Sequence, residues 1–135
     1  MPSAPTSVLG HRREAALDVD SWWLYFPVHR EVSDAEQVDT AVLRLMVRQH
    51  RRRPQRRRKT LPLVLRMFRV LADGESLLLD ERRLDAEGGD RWLELRVASA
   101  VDAWLLEPAA NLGLKIQCKG CRLNGANIDT QVRRQ

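Results

Sequence analysis

The sequence predicts a mostly β protein, an antiparallel β-sandwich with one short α-helix. Three observations predict it. Apolar and polar residues alternate over several short runs, the period of a half-buried strand. Turn signals such as Ala72-Asp73-Gly74-Glu75 and Glu87-Gly88-Gly89-Asp90 separate the runs. Only one stretch, around residues 97–105, takes a helical period, so the strand–helix alternation of a parallel sheet is missing.

Taken in order, residues 1–20 mix small, Pro and charged residues without a period and read as a flexible leader. Order is expected to begin near Ser21. Trp22-Trp23-Leu24-Tyr25-Phe26-Pro27-Val28 is aromatic and β-favouring. Pro27 has no N–H to give a ladder and should end the strand or mark a sheet edge. Residues 38–48 form a second strand, with Ala41, Leu43, Leu45 and Val47 on one face and Arg44 and Arg48 on the other. The Arg-rich stretch 49–59 reads as a loop, because its like charges repel and it has nothing to bury. A third strand carries Leu61, Leu63, Leu65 and Met67 on one face, so the basic loop is expected to join two strands of hairpin type.

Residues 76–84 suit a strand, although Leu77-Leu78-Leu79-Asp80-Glu81-Arg82-Arg83 also permits a helix. Trp92-Leu93-Glu94-Leu95-Arg96-Val97 alternates as a strand does. Val97, Val101, Trp104 and Leu105 then fall at i, i+4, i+7 and i+8, about two turns of amphipathic helix. Ser99 is a candidate cap, and Pro108 stops the helix near Glu107. Leu112, Leu114, Ile116 and Cys118 share one face of a further strand, and residues 128–132 suit a last short one. The four Trp residues, Trp22, Trp23, Trp92 and Trp104, read as core, since aromatic rings carry large apolar area.

The chain has 135 residues, fitting one domain. Its 44 % apolar content excludes a disordered chain, and no run approaches the ~20 apolar residues of a membrane span. The net charge of +5 hides a division. Eleven basic residues and no acidic one lie between Arg44 and Arg69, which leaves 12 basic residues against 18 acidic ones elsewhere. Such clustering argues against a general nucleic-acid surface.

No Ser-His-Asp arrangement, phosphate loop, HExxH or cofactor motif is present, so no catalytic residue, metal or cofactor is assigned. Cys118-Lys119-Gly120-Cys121 has the CxxC form and leaves four readings open: a redox site, two free structural thiols, a local bond, or a cross-link between two chains. The basic residues Arg51, Arg52, Arg53, Arg56, Arg57, Arg58 and Lys59 also leave several readings. They suit nucleic acid, an extracellular polyanion such as heparan sulfate, or a convertase-sensitive loop, since Arg53-Pro54-Gln55-Arg56 has the minimal RxxR spacing. A solvated loop without function is the plain alternative.

The second half carries a recognisable pattern. Trp92-Leu93-Glu94-Leu95-Arg96-Val97, then Val101-Asp102-Ala103-Trp104-Leu105, Pro108 and Asn111-Leu112-Gly113-Leu114-Lys115-Ile116 follow one another. Upstream lie Val42-Leu43-Arg44-Leu45, Val64-Leu65-Arg66-Met67-Phe68-Arg69-Val70 and Leu77-Leu78-Leu79-Asp80-Glu81-Arg82-Arg83-Leu84. In order and spacing these resemble the arm region of transforming-growth-factor-β superfamily propeptides. The CxxC directly after the last strand resembles the activin and inhibin beta branch.

The resemblance implies a jelly-roll-like arm over residues 21–135, with the loop 49–59 inside it and a cysteine-containing tail at 118–135. It implies a core that includes Trp92, Trp104, Leu112 and Leu114. It implies Cys118 and Cys121 as candidates for an interchain disulfide in a homodimer. The implied function is to assist folding and dimerisation of a secreted growth factor and to bind the mature growth-factor dimer non-covalently, regulating delivery or latency. Met1-Pro2-Ser3-Ala4-Pro5 lacks a signal-peptide pattern, and neither the wrapping helix nor the cysteine-knot growth factor is found. The chain is therefore expected to be an arm from a longer, secreted precursor.

Overall fold

The computed structural model describes residues 7–14, 18–25, 27–28, 41–50 and 61–129. The strands are β1 (Ser7–Glu14), β2 (Val19–Tyr25), β3 (Val42–Gln49), β4 (Leu63–Val70), β5 (Ser76–Leu84), β6 (Arg91–Arg96), β7 (Leu114–Lys119) and β8 (Ala126–Asp129). Helix α1 (Ala98–Leu106) and a 3₁₀ turn (Pro108–Ala110) lie between β6 and β7. The strands form two antiparallel sheets, a five-stranded one ordered β1-β2-β7-β4-β5 and a three-stranded one ordered β6-β3-β8. The mostly β, antiparallel two-sheet class predicted from the sequence is the one observed.

Register explains the core. In the larger sheet Trp22, Ile116 and Met67 are partners across β2, β7 and β4, and Cys118 pairs with Leu65 in the same phase. In the smaller sheet Leu43 faces Leu95, Leu45 faces Leu93, and Val47 faces Ile128. Buried residues of both sheets join Ala100 and Trp104 of α1 in one cluster. Each such aliphatic side chain contributes roughly 1.5–3 kcal/mol before conformational costs.

Several expectations need correction. The leader is not wholly without structure: β1 pairs with β2, and β2 starts at Val19. Strands β3 and β4 do not form a hairpin, because β3 lies in the smaller sheet and β4 in the larger. Residues 76–84 take the expected strand rather than the helical alternative, and a register shift after Met67 accommodates them beside β4. Ser99 does not cap α1, which has no side-chain cap. The Val97 N–H donates to the Ala41 carbonyl at 3.0 Å, so the chain is still in sheet one residue before the helix and leaves no room for a capping loop. The helix ends where Pro108 requires.

Trp92 is not core: it is 56 % exposed and shares an outward face with Glu94 and Arg96. Leu112 is 40 % exposed, because Gly113 (φ +88°) turns the chain before β7 begins. Trp104 and Leu114 are buried as expected, and Trp22 is too, whereas Trp23 is half-buried on the outer face.

The sandwich is tied along one side. Asp80 of β5 is buried, and its Oδ2 accepts from the backbone N–H of Arg96 in β6 at 2.8 Å. Arg82 donates to the Glu94 carbonyl at 3.2 Å. Side chains of one edge strand therefore occupy backbone groups of the other, which blocks further strand addition there.

Candidate functional site

Cys118 is the fifth residue of β7, and Cys121 follows one turn later. Gly120 between them has φ +91°, a conformation L side chains rarely adopt. Its N–H donates to the Asp18 carbonyl at 3.1 Å, and its carbonyl accepts from Asn124 Nδ2 at 2.8 Å. This turn brings the two sulfurs together, and Cys118 and Cys121 form a disulfide with each other. Both are buried. The local-bond reading is thus the one the structure takes, and a link between copies through these residues requires exchange of this bridge.

The remaining predicted site residues, Arg51, Arg52, Arg53, Arg56, Arg57, Arg58 and Lys59, lie outside the described residues. Their attachment is described at both ends. The His50 N–H donates to the Gly125 carbonyl at 3.3 Å, and Leu63 opens β4. His50 thus lies beside the cysteine turn, on which Arg122 is exposed.

An open polar hollow at this end is lined by Arg48, Gln49, His50, Gly88, Gly89 and Asp90. Its groups are largely engaged in holding the fold. Asp90 accepts from the Gln49 backbone N–H at 2.8 Å and from Arg48 at 3.3 Å. The Gln49 amide donates to the carbonyls of Ala86 and Asn124. The Gln49 N–H, then Arg48, hold the Asp90 carboxyl below the usual carboxylate range. Asp90 and Asp129 raise the Arg48 guanidinium in turn. Among the described residues no group of three or more His, Cys, Asp or Glu is arranged to hold a metal ion.

The two outer faces differ, which the sequence reading missed. On the smaller sheet the charges are paired: Arg44 with Glu94 at 3.9 Å, and Arg48 with Asp90 and Asp129. Arg44 also lies over the Trp92 ring at 5.1 Å. On the larger sheet a row crosses four strands in register, Trp23–Lys115–Phe68–Leu78. The Lys115 ammonium lies 5.6 Å from the Trp23 ring centre. One row on, Arg66 pairs with Glu81 at 2.8 Å. Beyond it Val64 sits between Lys119 and Arg83, both exposed. Among the described residues no carboxylate pairs with Lys115, Lys119 or Arg83. The face is apolar and cationic, and the even-numbered residues of β4 and odd-numbered residues of β7, opposite in phase to the core set, were the signal for it.

Against protein-family models, residues 11–133 match the TGF-beta propeptide family. A search of curated proteins found no match. The match runs from β1, through both sheets and α1, past the cysteine turn and β8. The chain belongs to the TGF-beta propeptide family.

Proposed function

We propose that this domain is the arm of an activin-like growth-factor precursor. It assists folding and dimerisation of the growth factor, then stays bound to it non-covalently after cleavage and regulates its delivery or latency. The family is a non-enzymatic part of growth-factor precursors, and association with the mature growth factor follows from membership. The observation that carries the finer reading is the cysteine turn. A CxxC that begins near the end of β7 suits the activin and inhibin beta branch, and here it is a buried local bridge. A disulfide fits an extracellular, oxidising setting. No helix among the described residues is long and apolar enough to cross a membrane.

In this reading two copies are brought together by the growth-factor dimer. Non-reducing electrophoresis of the secreted protein reads the cysteines directly. A monomer band with both cysteines oxidised supports a local bridge, and a reducible dimer band mapped to Cys118 or Cys121 shows exchange between copies. The folding role is tested by secretion yield. Expressing the growth factor with this domain should raise the yield of disulfide-linked growth-factor dimer, and an equal yield without it would refute that role.

A second reading rests on charge. Eleven basic residues between Arg44 and Arg69, uninterrupted by acid, favour binding of heparan sulfate by the same domain. Retention on heparin that weakens with added salt supports it. Sequence-selective duplex DNA binding at ~10⁻⁸ M or tighter at physiological salt would instead indicate a nucleic-acid reader.

A further inference from the structure

We infer that the outer face of the five-stranded sheet is the docking surface for the mature growth factor, a deepening that rests on the propeptide reading above. The row Trp23–Lys115–Phe68–Leu78 runs across β2, β7, β4 and β5, and Leu78 is 55 % exposed. Tyr25 and Val70 lie on the same strands and are half-buried. Contiguous apolar surface rimmed by polar residues marks interaction sites, and here exposed Leu78 and half-buried Phe68 and Trp23 are rimmed by Lys119 and Arg83.

Charge identifies the kind of partner. On this face the carboxylates Glu14 and Glu81 are already paired, with Arg12 at 3.6 Å and Arg66 at 2.8 Å. Lys115, Lys119 and Arg83 have no carboxylate among the described residues. A complementary surface is therefore apolar at its centre, with acidic residues placed to meet Lys115 and, further out, Lys119 and Arg83. The aromatic and aliphatic row favours a folded protein surface over a polyanion, which would need only the charges. The protein partner given by family membership is the growth factor cut from the same precursor. The opposite outer face is a poorer candidate, since its arginines are satisfied by Glu94, Asp90 and Asp129. The β5–β6 side is closed by Asp80 and Arg82.

The test is capture of the mature growth factor of the same precursor, co-secreted with the chain, by wild type, Phe68→Asp, Lys115→Glu, Lys115→Arg and Trp92→Ala. Phe68→Asp and Lys115→Glu should weaken capture by at least about tenfold, as loss of a central contact does. Lys115→Arg and Trp92→Ala should capture as wild type does. Equal melting temperatures confirm folding, and if Phe68→Asp does not fold, Lys115→Glu decides. Undiminished capture by both, with wild type binding, overturns the inference and leaves the propeptide reading intact. Wild type that captures no growth factor overturns both. If Phe68→Asp only dissociates two copies of the chain, or Lys115→Glu only loses heparin retention, the occupant is different and the inference fails.

Discussion

Asp80 is a buried carboxylate that gathers donors from both sheets. Its Oδ1 accepts from the Glu81 N–H at 2.8 Å and from Arg82 at 2.9 Å, its Oδ2 accepts from the Arg96 N–H at 2.8 Å, and the Arg96 guanidinium stands 3.6 Å away. Burial, the largest single influence, pushes the carboxyl up, but these donors together outweigh it and hold it below the usual range. The folded state therefore binds its proton less readily than the unfolded state. The resulting stability is complete above about pH 4, the ordinary carboxylate range, and is lost as pH falls through the folded pKa. Asp80→Ala should cost about 2–3 kcal/mol by urea unfolding at pH 7, because it strands buried donors. It should also remove part of the acid sensitivity below pH 4. Gly120 is the second informative residue. An added Cβ would stand 3.4 Å from the Pro62 carbonyl, at φ +91°. Gly120→Ala should lower stability by about 1–3 kcal/mol, read as a fall in melting temperature.

Among the elements, what could be read from sequence depended on whether a strand buries a face. Strands β3, β4 and β7 each bury alternate residues, so their period was plain. Among the described residues strand β1 pairs only with β2, and it has a register shift between Val8 and Gly10, so its sequence carries no clean period. An edge strand of this kind is defined by its neighbour's backbone rather than by an apolar face. Trp92 was legible but misread: its phase with Glu94 and Arg96 already put it outside, and ring size alone suggested the core. Leu112 was less so, because extending the β7 period backward ignores the left-handed Gly113. The two tryptophans on either side of this distinction give a direct comparison. Trp104, 1 % exposed, should cost about 3–5 kcal/mol on change to Ala by denaturant unfolding. Trp92→Ala should cost no more than about 1 kcal/mol, the scale of its contact with Arg44.

For the whole molecule, two sheets of unequal width close one core, and their outer faces divide the remaining work. The smaller sheet's outer face has paired charges, and the larger sheet's outer face combines an apolar row with cations that no carboxylate among the described residues pairs. The composition foretold neither, because an average charge does not say which strand face holds it. The cysteine pair was legible as a motif, but its pairing depended on Gly120 bending the chain toward Asp18 and Pro62. The resemblance to the family, carried by the residues of the Trp92 strand, the helix and the cysteine pair, agrees with the family match over residues 11–133. The claim that this arm holds its growth factor is tested most directly by size-exclusion chromatography with mass measurement on the convertase-cleaved, secreted precursor at physiological salt. The account predicts that the chain and the growth-factor dimer elute together as one non-covalent complex. Separate elution, at concentrations where both proteins are folded, would contradict it.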